Sequence, residues 1–262
     1  MGDSTPRAQG VGGNAPPPGS VLRAWGVDEV APLPGGQGDA FRSGLLVFKP
    51  APEPARTTWL ADALDGLAPS ETVRVARPAR SVDGTWVVDG WTAWHWLDGE
   101  PRSATRSELL DVSARFHAAV APVQWGAAMR GHDRWAHADR AAWGESAPPL
   151  PGSLALLAEA RRPLSLPCQL VHGDLAGNVL FHASLPPAVI DISPYWRAAR
   201  YADAIALVDR AVDHAQDERL DPLVLGPHGR QLLIRAVVFR ALSEPAPTDA
   251  YEPLITQLLD QP

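Results

Sequence analysis

The hydrophobic pattern changes period near residue 100, and that switch limits the possible folds more than any other feature of the chain. Before it, short apolar runs alternate with turn residues. Val21 to Val27 is followed by Pro34-Gly35-Gly36-Gln37-Gly38, and Leu45 to Lys49 follows Ser43-Gly44. Val73 to Ala79 and Thr85 to Val88 then flank Asp83-Gly84, and the aromatic run Trp91 to Leu97 ends at Asp98-Gly99. Runs of this length, punctuated this way, predict a small antiparallel sheet with a hairpin about Asp83-Gly84. One helix is expected to interrupt it, because Pro52 and Pro54 precede an apolar stripe at Trp59, Leu60, Leu64 and Leu67. After Ser103 the spacing becomes helical at Leu109, Leu110, Val112, Phe116 and Val120. Trp135 to Trp143, Leu154 to Ala160, Tyr201 to Ala215 and Gln231 to Leu242 continue in the same manner. The prediction is an α+β chain with a sheet-bearing lobe over 21–98 and a mainly helical lobe over 99–262. Residues 1–20, rich in Gly and Pro and poor in large apolar side chains, are predicted to form a disordered tail.

Composition narrows the partners. Of 262 residues 45% are hydrophobic, enough for a buried core, while a net charge of −7 disfavours nucleic acid or an anionic membrane. No run approaches the ~20 apolar residues of a membrane span, and the opening residues lack the apolar centre of a signal peptide. The single cysteine, Cys168, has no partner for an internal disulfide, fits a reducing cytoplasm, and reads as a small buried hydrophobe. The oligomeric state is open.

Two residue types are scarce enough to be informative. Lys49 is the only lysine, and Asn178 is the only asparagine besides Asn14 in the tail. A GC-rich genome explains the scarcity but not the places where these residues survive.

Within the helical half lies one exception. Leu170-Val171-His172-Gly173-Asp174 and Val189-Ile190-Asp191 are short apolar runs, each ending in an acid, separated by Val179-Leu180-Phe181 and a Pro-Pro turn. They read as paired strands, or as a loop and hairpin. Carboxylates at the ends of buried runs are costly unless paired, hydrogen-bonded or coordinated to a metal. Asp174 and Asp191 are therefore candidate site residues, with capping of strand ends as the plain alternative. Phosphoryl transfer needs such a set: a carboxylate to orient the attacking hydroxyl and hard oxygen ligands for Mg²⁺.

His172-Gly173-Asp174, then Asn178, an apolar strand and Asp191, resembles the aminoglycoside phosphotransferase and choline kinase-like family, over roughly Val21 to Asp203. The resemblance implies a two-lobed protein-kinase-like fold and an ATP- and Mg²⁺-dependent kinase acting on a hydroxyl of a small molecule. It implies Asp174 as catalytic base, Asn178 and Asp191 as Mg²⁺ ligands, His172 as support for the loop, and Asp203 as its brace. In the first lobe it implies that Gly35, Gly36, Gln37 and Gly38 cover the phosphates of the nucleotide and that Lys49 contacts them. Trp94, His95, Trp96 and Leu97 then resemble the hinge that receives adenine. Leu33 to Gly38 together with Asp191 to Arg197 is similar, more narrowly, to uncharacterised actinobacterial phosphotransferase-like proteins.

Only Leu175, Ala176 and Gly177 separate Asp174 from Asn178, one residue fewer than in the family's motif. Glu53, Asp62 and Asp65 are the available acids for pairing with Lys49. With Ile192-Ser193 after Asp191 and no long activation segment, a protein substrate is not expected. Asp98, Glu100, Asp133, Asp139 and Glu145 would suit a cationic acceptor, or serve only as solvated surface. Two other readings stand beside the kinase: a catalytically weak kinase-like nucleotide-binding protein, and a metal-dependent phosphoesterase using His172, Asp174 and Asp191.

Overall fold

The computed structural model describes residues 15–34, 38–213, 219–243 and 248–260. The first half runs α1 (Gly19–Ala24), β1 (Ala31–Pro32), β2 (Phe41–Ser43), β3 (Leu46–Pro50), α2 (Pro54–Asp65), β4 (Arg74–Val75), β5 (Pro78–Ala79), β6 (Val87–Val88), β7 (Trp91–His95) and β8 (Glu100–Pro101). The second runs α3 (Arg106–Val120), α4 (Arg134–Ala142), α5 (Gly152–Glu159), β9 (Gln169–His172), β10 (Val179–Phe181), β11 (Ala188–Val189), β12 (Pro194–Arg197), α6 (Ala199–Asp213), α7 (Gly229–Ser243) and α8 (Glu252–Asp260). These elements form two compact units. One holds the described residues up to Asp65 together with Ala76–Leu97; the other holds Gly66–Val75 and the chain from Asp98 on.

The first unit is an antiparallel sheet in the order β1-β2-β3-β7-β5, with β6 also paired to β7. Its core gathers Val21, Leu22, Trp25, Phe41, Phe48, Ala79 and Ala93. Trp25 packs edge-on against Phe48 at 5.7 Å and donates its indole N–H to the Ala79 carbonyl at 2.9 Å, so the buried ring leaves no polar atom unsatisfied. Val21 to Val27, expected as a strand, begins instead as α1. Leu22 N–H donates to Pro18 O, and the helix closes with Gly26 N–H on Arg23 O and Val27 N–H on Leu22 O, a Schellman arrangement. Gly19 and Ser20, placed in the tail by composition, form its first turn.

The expected hairpin is also displaced. Asp83-Gly84 does form a turn, closed by Ser81 N–H on Thr85 O, yet the ladder-forming hairpin is β6–β7, through Asp89-Gly90. Asp89 and Gly90 have φ of 49° and 76°, the paired positive values of a type I′ turn.

Residues 66–75 join the other unit because β4 pairs in parallel with β11, and Arg74 bonds the carbonyls of Pro186 and Pro187 there. The four-stranded sheet β4-β11-β10-β8 and the ribbon β12-β9 sit among helices. The apolar run ahead of Asp174 therefore pairs, over Gln169–His172, with a strand at 194–197 and not with Val189–Asp191. α3 opens with a capping box: Thr105 Oγ1 accepts from Glu108 N–H, and Glu108 Oε2 accepts from Thr105 N–H at 2.8 Å. α7 is buried along almost its whole circumference, against α6 and α4, and encloses two arginines, Arg235 and Arg240. A helix apolar on all sides belongs at the centre of a core, where any charge it carries must be matched. Cys168 is exposed rather than buried, because it lies in the irregular segment before β9. Among the described residues no helix is long and apolar enough to cross a membrane.

Candidate active site

In the helical unit, β9 delivers a completely buried His172 to the start of the loop that carries Asp174. His172 Nε2–H donates to Ile190 O at 3.1 Å, while its Nδ1 accepts from Asp174 N–H at 3.1 Å. These partners fix a single neutral tautomer. Burial holds the imidazole below the ordinary histidine range, against the pull of the nearby Asp174 and Asp191 charges. Both acids thus lie close enough to one buried ring to act on its titration. Gly173 N–H donates to Ser193 O at 2.9 Å and Ile190 N–H to Asn178 O at 3.0 Å, so the 173–178 and 190–193 loops are laced together.

The glycine of this loop is needed for space, not for a tight turn. A Cβ on Gly173 would sit 2.3 Å from Cε2 of Tyr195, inside van der Waals contact. The loop's shortened spacing is absorbed by a turn in which Asn178 N–H donates to Leu175 O at 3.0 Å. Asn178 Nδ2 then reaches Asp174 O at 2.6 Å and Asp174 Oδ2 at 3.1 Å. Both partners are acceptors, so the amide nitrogen faces Asp174 and the amide oxygen is left for another partner. Asp191 is exposed, with φ of 51°, a left-handed conformation uncommon outside glycine. Such local strain concentrates at functional sites.

The sequence reading does not single out Arg240. Its side chain on α7 is 5% exposed, and its Nη2 bridges Asp174 Oδ1 at 2.8 Å and Asp209 Oδ2 of α6 at 2.5 Å. Burial works against the guanidinium charge, but the two carboxylates hold its pKa above the ordinary value. Burial likewise pushes the Asp209 carboxyl up to about 6, with Arg240 pulling it down. The available signal was the pair of arginines, Arg235 and Arg240, inside the apolar run Leu232 to Leu242, which must find polar partners there.

Asp203 does not bond the 173–178 loop. Its carboxylate accepts from Ser113 Oγ of α3 at 2.5 Å and from Arg200 at 3.1 Å, tying α6 to α3. Ser113 spends its only proton on Asp203, so His117 Nδ1–H donates to Ser113 Oγ at 3.1 Å. Asp133 caps α4, while Asp139 and Glu145 both bind Arg197, at 2.6 and 2.7 Å. Three of the five acids considered for a cationic acceptor are therefore part of the helical scaffold.

In the sheet unit, Gly35, Gly36 and Gln37 lie outside the described residues, and Gly38 follows them with φ of 73°. Lys49 is half-buried on β3, opposite Thr92 of β7. Of the acids considered for it, Glu53 pairs with Arg56 at 3.1 Å, Asp62 accepts the Trp86 indole N–H at 2.7 Å, and Asp65 lies 3.5 Å from Arg80. Trp94 and His95 end β7, opposite Val47 and Leu46. The amides of His95 and Trp96 already donate to Arg77 O and Leu45 O, each at 2.8 Å, and the Arg42 guanidinium covers the Trp96 ring at 3.7 Å. Leu97 closes the unit.

Among the described residues no group of three or more His, Cys, Asp and Glu side chains is arranged to hold a metal ion.

No protein-family model matches the sequence, and no curated protein sequence matches it. Solved structures do. A microcompartment-associated aminopropanol kinase superposes with a TM-score of 0.53 at 16% identity, over 92% of this chain and 93% of that one. Amicoumacin kinase in complex with AMP-PNP and Ca²⁺ superposes at 0.51 and 14% identity, over 92% and 80%. An aminoglycoside phosphotransferase from Alicyclobacillus acidocaldarius does so at 0.50 and 14%, over 94% and 92%. The chain therefore shares the two-lobed α+β, protein-kinase-like fold of these phosphotransferases and kinases.

Proposed function

We propose that the protein is an ATP- and Mg²⁺-dependent phosphotransferase that moves the γ-phosphoryl group to a hydroxyl of a small molecule. The observation that carries this reading is the lacing of the Asp174 and Asp191 loops around His172, with the Asn178 amide nitrogen bonded to Asp174. Asp174 is the base: its side chain is half-exposed, held from both oxygens, and suited to accept a hydroxyl proton or orient the attacking oxygen. Asn178 Oδ1 and Asp191 would hold Mg²⁺. Two oxygen ligands suffice for a cation that takes the rest of its coordination from water and phosphates. When bound, the ion would neutralise charge on the transferring phosphoryl group. In the sheet unit Lys49 and Gly35 to Gly38 are assigned to the phosphates. Adenine is assigned to the 94–97 segment, where two amides are already engaged and Leu97 and the carbonyls must serve.

The fold-level likeness to two small-molecule kinases supports the same class of reaction. A thermal-shift screen of nucleotides with and without Mg²⁺, followed by phosphate release on a panel of amino alcohols and sugars, tests it. Asp174→Asn should abolish turnover and leave nucleotide affinity by calorimetry unchanged. Full turnover in that variant, or no Mg²⁺-dependent nucleotide stabilisation of the native protein, rejects the reading.

One observation favours a second reading, a nucleotide-binding protein with weak catalysis. Both Asp174 oxygens already accept charged or amide donors, which lowers their availability to a hydroxyl. Tight Mg²⁺-nucleotide binding with no γ-phosphate loss across the panel would select it.

A further inference from the structure

The Asp174 carboxylate is held from inside the helical core. Arg240 Nη2 spans 2.8 Å to Asp174 Oδ1 and 2.5 Å to Asp209 Oδ2, so one nitrogen joins the loop to α6 and α7 at once. The three side chains differ sharply in exposure: 5% for Arg240, 15% for Asp209 and 50% for Asp174. Asp209 is thus the inner anchor, Arg240 the strut and Asp174 the outward end. On its other oxygen, Asp174 accepts from Asn178 Nδ2 at 3.1 Å. Donors on opposite oxygens fix both the rotamer and the plane of a carboxylate. An ionised carboxylate offers about four lone-pair sites, so two held bonds leave one outward-facing site per oxygen.

We propose that Arg240 is a positioning residue: anchored by Asp209, it locks the Asp174 carboxylate in the one orientation that presents a free lone pair to an incoming hydroxyl. This rests on the reading of Asp174 as the base of a phosphotransferase. Arg240 touches no reacting atom; it acts by denying Asp174 its alternative rotamers, in the way a supporting residue preorganises a site. Lysine would keep the charge but replace the rigid planar guanidinium that aims Nη2 at both carboxylates with a compact ammonium on a flexible stem, so the exchange is not conservative.

The test uses the full chain with MgATP and water as phosphoryl acceptor, read as phosphate release, beside calorimetric MgATP affinity. The parent reading is checked first: wild-type release must vanish in Asp174→Asn with affinity intact. If it does not, that reading falls and this inference falls with it. Where it holds, Arg240→Gln should lower kcat by about 100-fold, the scale of a misplacement near 1 Å. KM for ATP should change by less than about threefold, since nucleotide binding does not use this strut. Added guanidinium should restore about tenfold of the loss, and Arg240→Lys should fall between the two. If Arg240→Gln fails to fold, the pair Asp209→Asn/Arg240→Gln removes the stranded charge and should show the same loss. A kcat within about threefold of wild type, a rise in kcat, or equal losses in kcat and affinity that track a lowered melting temperature would overturn the proposal.

Discussion

Arg240 and Asp174 are 66 residues apart in the chain and joined by a 2.8 Å ion pair. The pair draws its strength from the third member. With Asp209 also at 2.5 Å, a guanidinium almost closed to solvent meets two carboxylates, only one of which is half-exposed. Replacing Arg240 by Met leaves Asp209 as a buried charge without its counter-ion, and removal of one partner from such a pair costs about 3–5 kcal/mol. Urea unfolding at pH 7.5 should show a loss of that order. At pH 5 the loss should shrink, because Asp209, already pushed up to about 6 with arginine present, takes up a proton more readily without it. Asp209→Leu/Arg240→Met should recover most of the stability. A single Arg240→Met variant within about 1 kcal/mol of wild type at pH 7.5 would mean the strut is dispensable to the fold.

Gly173 is set by the Tyr195 ring of β12. A methyl group at 173 would come within 2.3 Å of Cε2 and 2.5 Å of Cδ2. Tyr195 has little room to give: it is 7% exposed and packs edge-on against Phe239 at 5.5 Å. Gly173→Ala should therefore destabilise by about 1–3 kcal/mol, the usual cost of overpacking. The same change on a Tyr195→Ala background should cost much less. Equal costs in the two backgrounds, by thermal melts in a double-mutant cycle, would locate the strain elsewhere.

How far the sequence discloses the architecture depends on whether the signal is local. The helices of the second half announce themselves through apolar spacing, and α3 adds the Thr105-to-Glu108 box. The acid-ended runs at 170–174 and 189–191 draw attention on the expectation of buried carboxylates, whereas Asp174 is half-exposed and Asp191 exposed. Ambiguity enters where two equal signals compete. Asp83-Gly84 and Asp89-Gly90 are the same dipeptide, and only the second lies between strands that bond each other. Val21 to Val27 is apolar enough for either a strand or a helix, and the proline before it decides in favour of the helix. For pairings that cross the chain, local sequence does not name the partner. β4 with β11 and Arg240 with Asp174 both belong to this class.

Two buried histidines set an acid limit on stability. Burial lowers His117 to about 4, with the neighbouring His172 charge adding to the effect, and burial lowers His172 as well. In the unfolded chain both titrate near ~6.5. Between pH 6.5 and 4 the unfolded state binds more protons than the native one, so stability falls as pH falls through that window and is fully present above it. For His117 alone the loss is on the order of 3 kcal/mol at pH 4. Denaturant midpoints measured from pH 7 to pH 4 should decline accordingly, and His117→Gln should flatten part of the slope. A slope of opposite sign would show that carboxylate protonation, not histidine charging, governs the acid limb.

Asp191 presents a test in which stability and function should separate. Its φ of 51° carries the left-handed penalty of about 1–2 kcal/mol for a residue with a side chain, a penalty glycine does not have. At an ordinary exposed position glycine is the less stable choice relative to alanine by about 0.5–1 kcal/mol. At 191 the order should invert, with Asp191→Gly melting above Asp191→Ala. Both variants lose the carboxylate proposed to hold Mg²⁺, so the additional thermal stabilisation that Mg²⁺ confers on the nucleotide complex should disappear from both. An Asp191→Gly protein that is more stable and still responds fully to Mg²⁺ would leave the strain at 191 without a functional reason. One that is less stable than Asp191→Ala would show that the surrounding loop, tied through Ile190 and Ser193 to His172 and Gly173, imposes the conformation at no cost that glycine can relieve.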